Sequence, residues 1–451
     1  AATTSLGAQY TRRNVNVERI TARNLVGGQA NVDAGTTLRV RQDRALVNNL
    51  GFFAQEELQL MGERLLVTGG LRADRSSLNA DAGKLYFFPK LAAAYRLSRP
   101  FGFVDELKLR GAYGEAGNEP LYGQRFTPLN ATNNIGSLPG LVVGGTTGSP
   151  TLRPEREREF EVGFDASLFH DRGNLEFSFY QKSISDLLRT RALAPSSGFG
   201  IEVFNGGKMR TRGMEVSLQL VPLRRGRFEW FSRVNFSTTS SVITELPVPS
   251  FLAGGFGVSL GAFRIAEGQS ATQIVGNDTT GGVHEVKLGD ATPNFRMSFT
   301  EDFRMGGWNL HLHGDWQSGS SIINLTRLLY DFGQVTVDYD VPSAAGSTVG
   351  QDRLNGWLAG QTGNYIESAS FFKMREISLS YDLPVSLARR LFGGIRSASV
   401  SVAARNLFTV TPYTGLDPEV SNFGNQPIAR NIDVAPFPPS RSFWFGINLG
   451  L

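Results

Sequence analysis

The residues best suited to chemistry form one short cluster, "HLHGD", which runs from His311 to Asp315. In an extended strand, side chains two positions apart lie on the same face, so His311, His313 and Asp315 share one side. Two imidazoles and a carboxylate in this arrangement can hold Zn²⁺ or a similar ion. The competing interpretation is a polar strand face that points into water. The chain has four His and no Cys, so we favour that interpretation and assign no metal or cofactor.

Other patterns favour structure over catalysis. No nucleophile elbow or phosphate-binding glycine loop occurs, and we assign no catalytic residue. A charged run is expected to pair across a strand rim or to stay solvated. Three phenylalanines in a Gly-rich loop either contact a ligand or pack against their own loop. The run contains Arg153, Glu155, Arg156, Glu157, Arg158 and Glu159, and the phenylalanines are Phe251, Phe256 and Phe263.

Composition narrows the class of protein. The chain has 451 residues, of which 41% are hydrophobic and 52 are Gly, too few apolar residues for a conventional large core. No run approaches the roughly 18 apolar residues of a membrane-spanning helix, whereas a transmembrane strand needs only about 9 to 11 residues with alternate ones apolar. The net charge is only +4, and the sequence has no basic run that would indicate nucleic-acid binding.

Strand-length segments with a period of two define the elements that carry these residues. In the last segment, Phe443, Phe445, Ile447, Leu449 and Leu451 alternate with small or polar residues. Trp230, Trp308, Tyr381 and Trp444 lie near strand ends, as expected for aromatic girdles at a membrane interface. About fourteen such segments are predicted, near residues 1–12, 46–61, 63–74, 86–98, 104–116, 156–169, 173–190, 203–222, 227–240, 292–303, 307–317, 366–383, 397–411 and 441–451.

The connections between these segments are of two kinds. Tight turns, such as Gly62 and Glu63, follow one set of strands, and long loops follow the other set, notably residues 117–155, 241–291, 318–365 and 412–440. Short periplasmic turns and long extracellular loops are typical of outer-membrane barrels. A soluble sandwich would show the same period of two, but these strands are longer than is usual in soluble sheets. We therefore predict an all-β, transmembrane antiparallel β-barrel.

Several segments resemble the barrel of a TonB-dependent outer-membrane transporter. They include "LVNNLGFFAQEELQLMGERLLVTGGLRAD" from Leu46 and "LRPEREREFEVGFDASLFHDRGNLEFSFYQKSISDLL" from Leu152. "FFKMREISLSYDLP" from Phe371, "ARNLFTVTPYTGLDPEVS" from Ala404 and "FPPSRSFWFGINLGL" at the end resemble the SusC/RagA-type subfamily. The last strand also resembles the terminal signal by which the barrel assembly machinery recognises and inserts its substrates.

The resemblance also shows departures. Members of the family have barrels of twenty-two strands, preceded by a plug domain and by the segment that engages TonB. About fourteen strands are readable here, and no plug is recognisable. We therefore expect residues 1–451 to be the C-terminal part of a transporter barrel, without the plug domain and N-terminal extension. A separate polypeptide that completes its barrel with another chain, or that closes at a smaller size, is the alternative.

The resemblance implies active import of a large nutrient, glycan or peptide, across the bacterial outer membrane. It implies a SusD-like surface lipoprotein as a lid, energy from the TonB complex through the missing N-terminal part, and contact with outer-membrane lipid. We name no substrate-binding residue and predict that the chain is not an enzyme. Two alternatives stay open: a passive or structural barrel subunit of a larger assembly, and an outer-membrane hydrolase that uses rim residues around His311 and His313.

Overall fold

The dominant element of the computed structural model is an antiparallel sheet of 14 strands, each hydrogen-bonded to the next in chain order. The structure describes residues 1–25, 27–135, 138–393, 395–426 and 428–450. The strands are β1 (Ala2–Leu25), β2 (Gly35–Leu60), β3 (Leu65–Ser76), β4 (Tyr86–Phe101), β5 (Val104–Asn118), β6 (Glu155–Leu168), β7 (Gly173–Ser185), β8 (Lys208–Arg225), β9 (Phe228–Glu245), β10 (Phe295–Met305), β11 (Trp308–Ser318), β12 (Phe371–Asp382), β13 (Ser397–Val410) and β14 (Ser442–Gly450).

Each of the fourteen predicted segments overlaps one of these strands, so the predicted strand set is confirmed. The prediction was wrong about the length of the first two strands. β1 and β2 pair without interruption from Ala2↔Leu58 to Arg23↔Thr37, whereas β2 pairs with β3 only from Asn49 to Leu60. Residues 14–25 and 35–46 thus form a two-stranded ribbon in which no residue is buried.

The two faces of the sheet differ as the alternation predicts. On β14, Phe443 lies opposite Ala404 of β13, and Phe445 lies opposite Val402. Both phenylalanines are more than 70% exposed. A soluble sandwich would bury this face against a second sheet, whereas a lipid-facing sheet presents such side chains to hydrocarbon. The predicted alternation of the last strand is present as far as residue 450, and Leu451 lies outside the described residues. The contact of this face with lipid stays a prediction.

The chain divides into two compact units, of which unit 1 contains residues Ala1–Ala93, Ala112–Glu159 and Ile184–Lys208. The long connections of unit 1 carry small sheets of their own. One is the antiparallel pair Leu129–Ile135 and Leu138–Val143. The other joins Leu188–Ala192, Ile201–Asn205 and Thr146–Thr147. Short 3-10 helices occur at Val32–Ala34 and Pro195–Ser197.

Unit 2 contains residues Ala94–Gly111, Phe160–Ser183 and Met209–Leu451, and its long connections are also ordered. A core of buried residues forms among them, including Phe263, Ile323, Leu354 and Ile432. Their elements are strands Phe251–Gly255, Ala262–Ile265, Gln273–Asp278, His284–Asp290, Ser321–Asn324, Ile366–Ser368 and Ile432–Asp433, helices α1 (Leu325–Phe332) and α2 (Val349–Leu358), and 3-10 helices Val258–Leu260, Val337–Asp340 and Thr362–Tyr365. We call the described segments 246–292, 321–369, 411–426 and 428–435 the loop assembly.

The helices are short, and α1 and α2 begin at side-chain caps. The side chain of Asn324 accepts a hydrogen bond of 2.9 Å from the backbone N–H of Arg327 at the start of α1, and Thr348 caps α2 through Gln351. Such caps satisfy backbone donors that have no partner within the helix. A third helix, α3 (Val385–Phe392), connects β12 and β13. Within the described ranges, none of the helices has the length and hydropathy needed to cross a bilayer.

Candidate functional site

The predicted cluster His311, His313 and Asp315 lies on the polar face of β11, and each member already has a partner. Asp302 lies directly opposite His311, and its Oδ1 is 2.8 Å from His311 Nδ1. His313 Nδ1 is 3.0 Å from the hydroxyl of Thr300, its opposite residue on β10. Among the described residues, no group of three potential ligands is placed to hold a metal ion. The cluster therefore forms part of a hydrogen-bonded polar wall.

Asp315 connects this wall to a cluster of charged side chains, of which Lys373 and Asp417 are buried. It accepts a hydrogen bond of 2.6 Å from Arg375 Nε of β12, and Arg375 also donates to Glu419 at 2.8 Å. Lys373 Nζ lies 2.6 Å from Asp417 and 2.5 Å from Glu419. We call these five residues the clasp, because they join two strands of the sheet to the connection that follows β13.

Burial disfavours the charged side chains of the clasp, whereas hydrogen bonds between them stabilise their charges. The side chains of Lys373 and Asp417 are only 5% and 9% exposed, so each charge depends on its partner for stabilisation. Burial raises the pKa of the Glu419 carboxyl, but hydrogen bonds from Arg375 and Lys373 outweigh burial and lower it below its usual range. The pairing in β12 shifts register between Met374 and Glu376, a β-bulge that changes the direction of a side chain, here next to Arg375.

A second charge network holds the loop assembly together. Asp331 of α1 is fully buried and accepts two hydrogen bonds of 2.7 Å from Arg353 of α2. The hydroxyl of Tyr365 donates to the same carboxylate at 2.7 Å. Burial and this hydrogen bond raise the pKa of Tyr365 well above its ordinary value. Burial lowers the pKa of Arg353, but hydrogen bonds to Asp331 and Asp338 raise it above its ordinary value.

Asp433 ties the last connection to the rest of the loop assembly. Its carboxylate accepts hydrogen bonds from the hydroxyls of Thr326 on α1 and Tyr413, and Ile432 pairs in parallel with Ile323. Asp433 is 3% exposed and Tyr413 is 5% exposed. These contacts make the loop assembly an ordered body.

Each unit carries a cavity on the polar face of its strands. In unit 2, a cavity of about 580 Å³ is lined by clasp residues Asp315, Arg375 and Glu419 together with Arg296 and Glu176. In unit 1, a cavity of about 630 Å³ lies on β2 to β5 and combines aromatic, amide and charged side chains. Cavities of this size are typical of small-molecule sites. Both are large enough to hold a solute.

The aromatic residues that the sequence singled out have different surroundings. Trp308 and Tyr381 contact each other with ring centroids 4.6 Å apart at one end of the apolar face, as expected for a girdle. Trp444 instead lies on the polar face, over Arg405, so a lipid-facing girdle position is wrong for Trp444. Phe263 is fully buried in the loop assembly, whereas Phe256 is 54% exposed.

The charged run at 153–159 pairs as predicted. Arg156 and Arg158 both contact Glu115 of β5, at 2.5 and 3.3 Å, and Arg153 pairs with Asp186 at 2.6 Å. Sequence reasoning missed the Lys373–Asp417 pair and the buried Asp331. A contact across 44 positions has no local sequence pattern. The one sequence signal for the pair was that Lys373 and Asp417 lie within two segments that carry the family resemblance.

Comparisons with known proteins agree with this geometry. A family model described as TonB dependent receptor-like, beta-barrel, matches residues 1–407. TonB-dependent receptor P3 of Formosa agariphila is 25% identical over 505 residues, which cover 98% of this chain and 49% of that protein. TonB-dependent receptor SusC of Bacteroides thetaiotaomicron is 22% identical over 469 residues, which cover 91% of this chain and 45% of that protein.

Solved structures share the fold. The structure of the RagAB peptide importer in its open-open state matches with a TM-score of 0.78 and 21% identity, covering 100% of this chain and 52% of that chain. The chain thus spans about half the length of the relatives that it matches. Because the family model covers most of the described sheet, the prediction of an outer-membrane barrel is confirmed. The chain belongs to the TonB-dependent receptor-like β-barrel family, and its barrel is of the SusC/RagA type.

Proposed function

We propose that residues 1–451 are the C-terminal barrel part of an active transporter that imports a large nutrient, glycan or peptide, with energy from TonB. The observation that supports this proposal most directly is the two-faced sheet. One face presents exposed phenylalanines such as Phe443 and Phe445, and the other carries two cavities lined by polar side chains. A wall with these two surfaces separates lipid from a solute path. The plug domain and the earlier strands would precede this part.

A surface lipoprotein of the SusD type is the proposed lid. The loop assembly offers an ordered platform for such a partner, because its core is buried and its charges are paired. Around α1 its surface is apolar and exposed, at Leu329, Phe332, Val335 and Val337. Exposed apolar patches of this kind mark protein interaction sites. The TonB complex would act through the plug region.

Transport without catalysis is the proposed activity. His311 and His313 are held by Asp302 and Thr300 in the wall, and the relatives that match are receptors and importers by name. Loss of a hydrolytic activity on His311→Ala would contradict this part of the proposal.

The test uses the full-length gene product in its own outer membrane. Intact mass comes first: a mass about twice the 49.2 kDa of this chain is expected, and a mass near 49.2 kDa would contradict the fragment assignment. Uptake of glycans or peptides should then depend on the gene and stop when the proton gradient is collapsed. Uptake that survives collapse of the gradient would favour a passive barrel, and absence of uptake would overturn the proposal.

A further inference from the structure

Helix α3 lies at the end of the sheet where the tight turns are found. The backbone N–H of Asp382, the last residue of β12, donates to the carbonyl of Gly307, in the turn between β10 and β11, at 2.9 Å. Short turns of an outer-membrane barrel face the periplasm. The aromatic pair Trp308 and Tyr381 lies at this same end.

The aromatic pair sets the depth at which α3 begins. Such rings in membrane proteins lie at the level of the lipid headgroups. Pro384, which precedes the first residue of α3, follows Tyr381 by three residues, a span of at most about 11 Å. The helix therefore starts close to the headgroups of the periplasmic leaflet.

One side of α3 covers the end of β13. Ala388 is 0% exposed, and the helix contacts β13. Ala398 of β13 lies opposite Leu449 on the apolar face and is 5% exposed. Its neighbour Ser397, which points to the polar face, is exposed. This difference places the helix on the apolar side of the sheet, the side that meets lipid in a barrel.

The uncovered surface of α3 combines apolar and basic side chains. Leu387 and Leu391, one turn apart, are 40% and 59% exposed. Arg389 and Arg390 are exposed beside them, and neither side chain has an ion pair or hydrogen bond with any residue that the structure describes. Cations in a last turn also favour the helix itself, but that effect does not account for the exposed leucines. Leucines beside arginines are typical of a helix that lies in a membrane interface.

We propose that α3 is an interfacial helix that binds an anionic phospholipid of the periplasmic leaflet. Leu387 and Leu391 contact its acyl chains, and Arg389 and Arg390 bind its phosphate. Guanidinium groups pair well with phosphate oxygens, and long Arg side chains extend from an apolar surface to the headgroups. A lipid suits this surface better than a protein, because the exposed leucines continue the apolar face of the sheet at headgroup depth. The proposal rests on the barrel fold and is independent of the import function.

The experiment measures lipid binding to the full-length protein in detergent by native mass spectrometry. The probes are dioleoyl phosphatidylglycerol, which is anionic, and dioleoyl phosphatidylethanolamine, which is zwitterionic. The wild type should bind phosphatidylglycerol more tightly. The double variant Arg389→Gln with Arg390→Gln should weaken that binding about tenfold or more, because each cation contributes to the attraction of an anionic headgroup. It should leave phosphatidylethanolamine within about twofold.

A matched control removes two arginines from the ribbon. Arg19 and Arg39 are exposed and lie outside the part of β2 that pairs with β3. Arg19→Gln with Arg39→Gln should keep phosphatidylglycerol binding within about twofold of the wild type. Hydrogen exchange of residues 385–393 in nanodiscs gives a second readout: the wild type should exchange more slowly in phosphatidylglycerol than in phosphatidylethanolamine, and the α3 double variant should show no such difference.

Three results would overturn the proposal: the wild type binds both lipids equally, the α3 and ribbon variants bind phosphatidylglycerol equally, or α3 of the wild type exchanges at the same rate in both lipids. A periplasmic protein that co-purifies with the wild type and is lost from the α3 variant, with lipid binding unchanged, would assign this surface to a protein partner instead.

Discussion

Replacing Lys373 by Met tests whether the clasp anchors the connection after β13. Methionine keeps most of the side-chain volume but removes the ammonium group that both Asp417 and Glu419 accept from. Glu419 retains Arg375, whereas Asp417 retains one backbone N–H, that of Glu419 at 2.8 Å. The substitution therefore leaves a carboxylate that is 9% exposed without a cation.

The expected magnitude follows from this burial. Removing one partner of a buried ion pair costs about 3–5 kcal/mol, because the other charge stays buried and uncompensated. The retained backbone hydrogen bond moves our expectation to the lower end, about 3 kcal/mol. If the connection opens locally, hydrogen exchange over residues 411–435 should accelerate roughly a hundredfold, since about 1.4 kcal/mol corresponds to a factor of ten.

Hydrogen exchange read by mass spectrometry on the detergent-purified protein measures this opening. Lys287→Met is the matched control, because Lys287 is 45% exposed and pairs with Asp290 at 3.4 Å, a surface pair worth at most about 1 kcal/mol. The double variant Lys373→Met with Asp417→Leu should recover most of the protection, since an apolar pair can replace a buried ion pair. If Lys373→Met exchanges no faster over 411–435 than Lys287→Met, the clasp does not hold the connection.

Three further perturbations probe the faces, the loop charges and the ribbon. Phe445→Arg should destabilise the inserted barrel by about 2–4 kcal/mol if that face meets lipid, whereas Asn448→Arg on the opposite face should be nearly neutral. Urea unfolding in vesicles measures the stability of both variants. Equal effects of the two substitutions would contradict the assignment of faces. A hydrogen bond from Arg327 lowers the pKa of Asp338, burial raises it, and a hydrogen bond from Arg353 lowers it further, so that the pKa lies below its ordinary value. The pKa of Glu419 is also lowered, as described above. Both carboxylates therefore stabilise the loop assembly above about pH 4, and this contribution is lost as the pH falls through their lowered pKa values. Protection from exchange over 321–369 and 411–435, relative to the intrinsic exchange rate at each pH, should fall only below about pH 4, and a loss of protection near neutral pH would refute this. Trypsin should cut the ribbon first, at Arg19, Arg39 or Arg41, because a two-stranded ribbon is marginally stable. Earlier cleavage within the loop assembly would contradict the assignment of the loop assembly as an ordered body.

The strands of the sheet could be predicted because each one carries its own pattern. β14 carries large apolar residues at four alternate positions, Phe443, Phe445, Ile447 and Leu449, and the environment of each face needs no distant partner to be recognised. The ribbon had no such pattern: Val17 and Arg19 share one face of β1, and Glu18 and Ile20 share the other, so neither face is consistently apolar. The pairing of the ribbon continues the register that β1 and β2 already have within the sheet.

The loop assembly and both cavities could not be predicted, because their contacts join residues far apart in the chain. Asn431 donates to carbonyls 110 and 140 positions away, and helices of 8–10 residues give little periodic signal.

The clasp gives a physical reason why the sheet and the loops of unit 2 should respond to a solute together. Arg375 contacts Asp315 in the wall and Glu419 in the connection after β13, and that same connection reaches α1 through Asp433. Asp315, Arg375 and Glu419 also line the cavity of unit 2. A charged solute that competes for Arg375 would weaken its hold on Glu419, whose own charge would then rely on Lys373 alone.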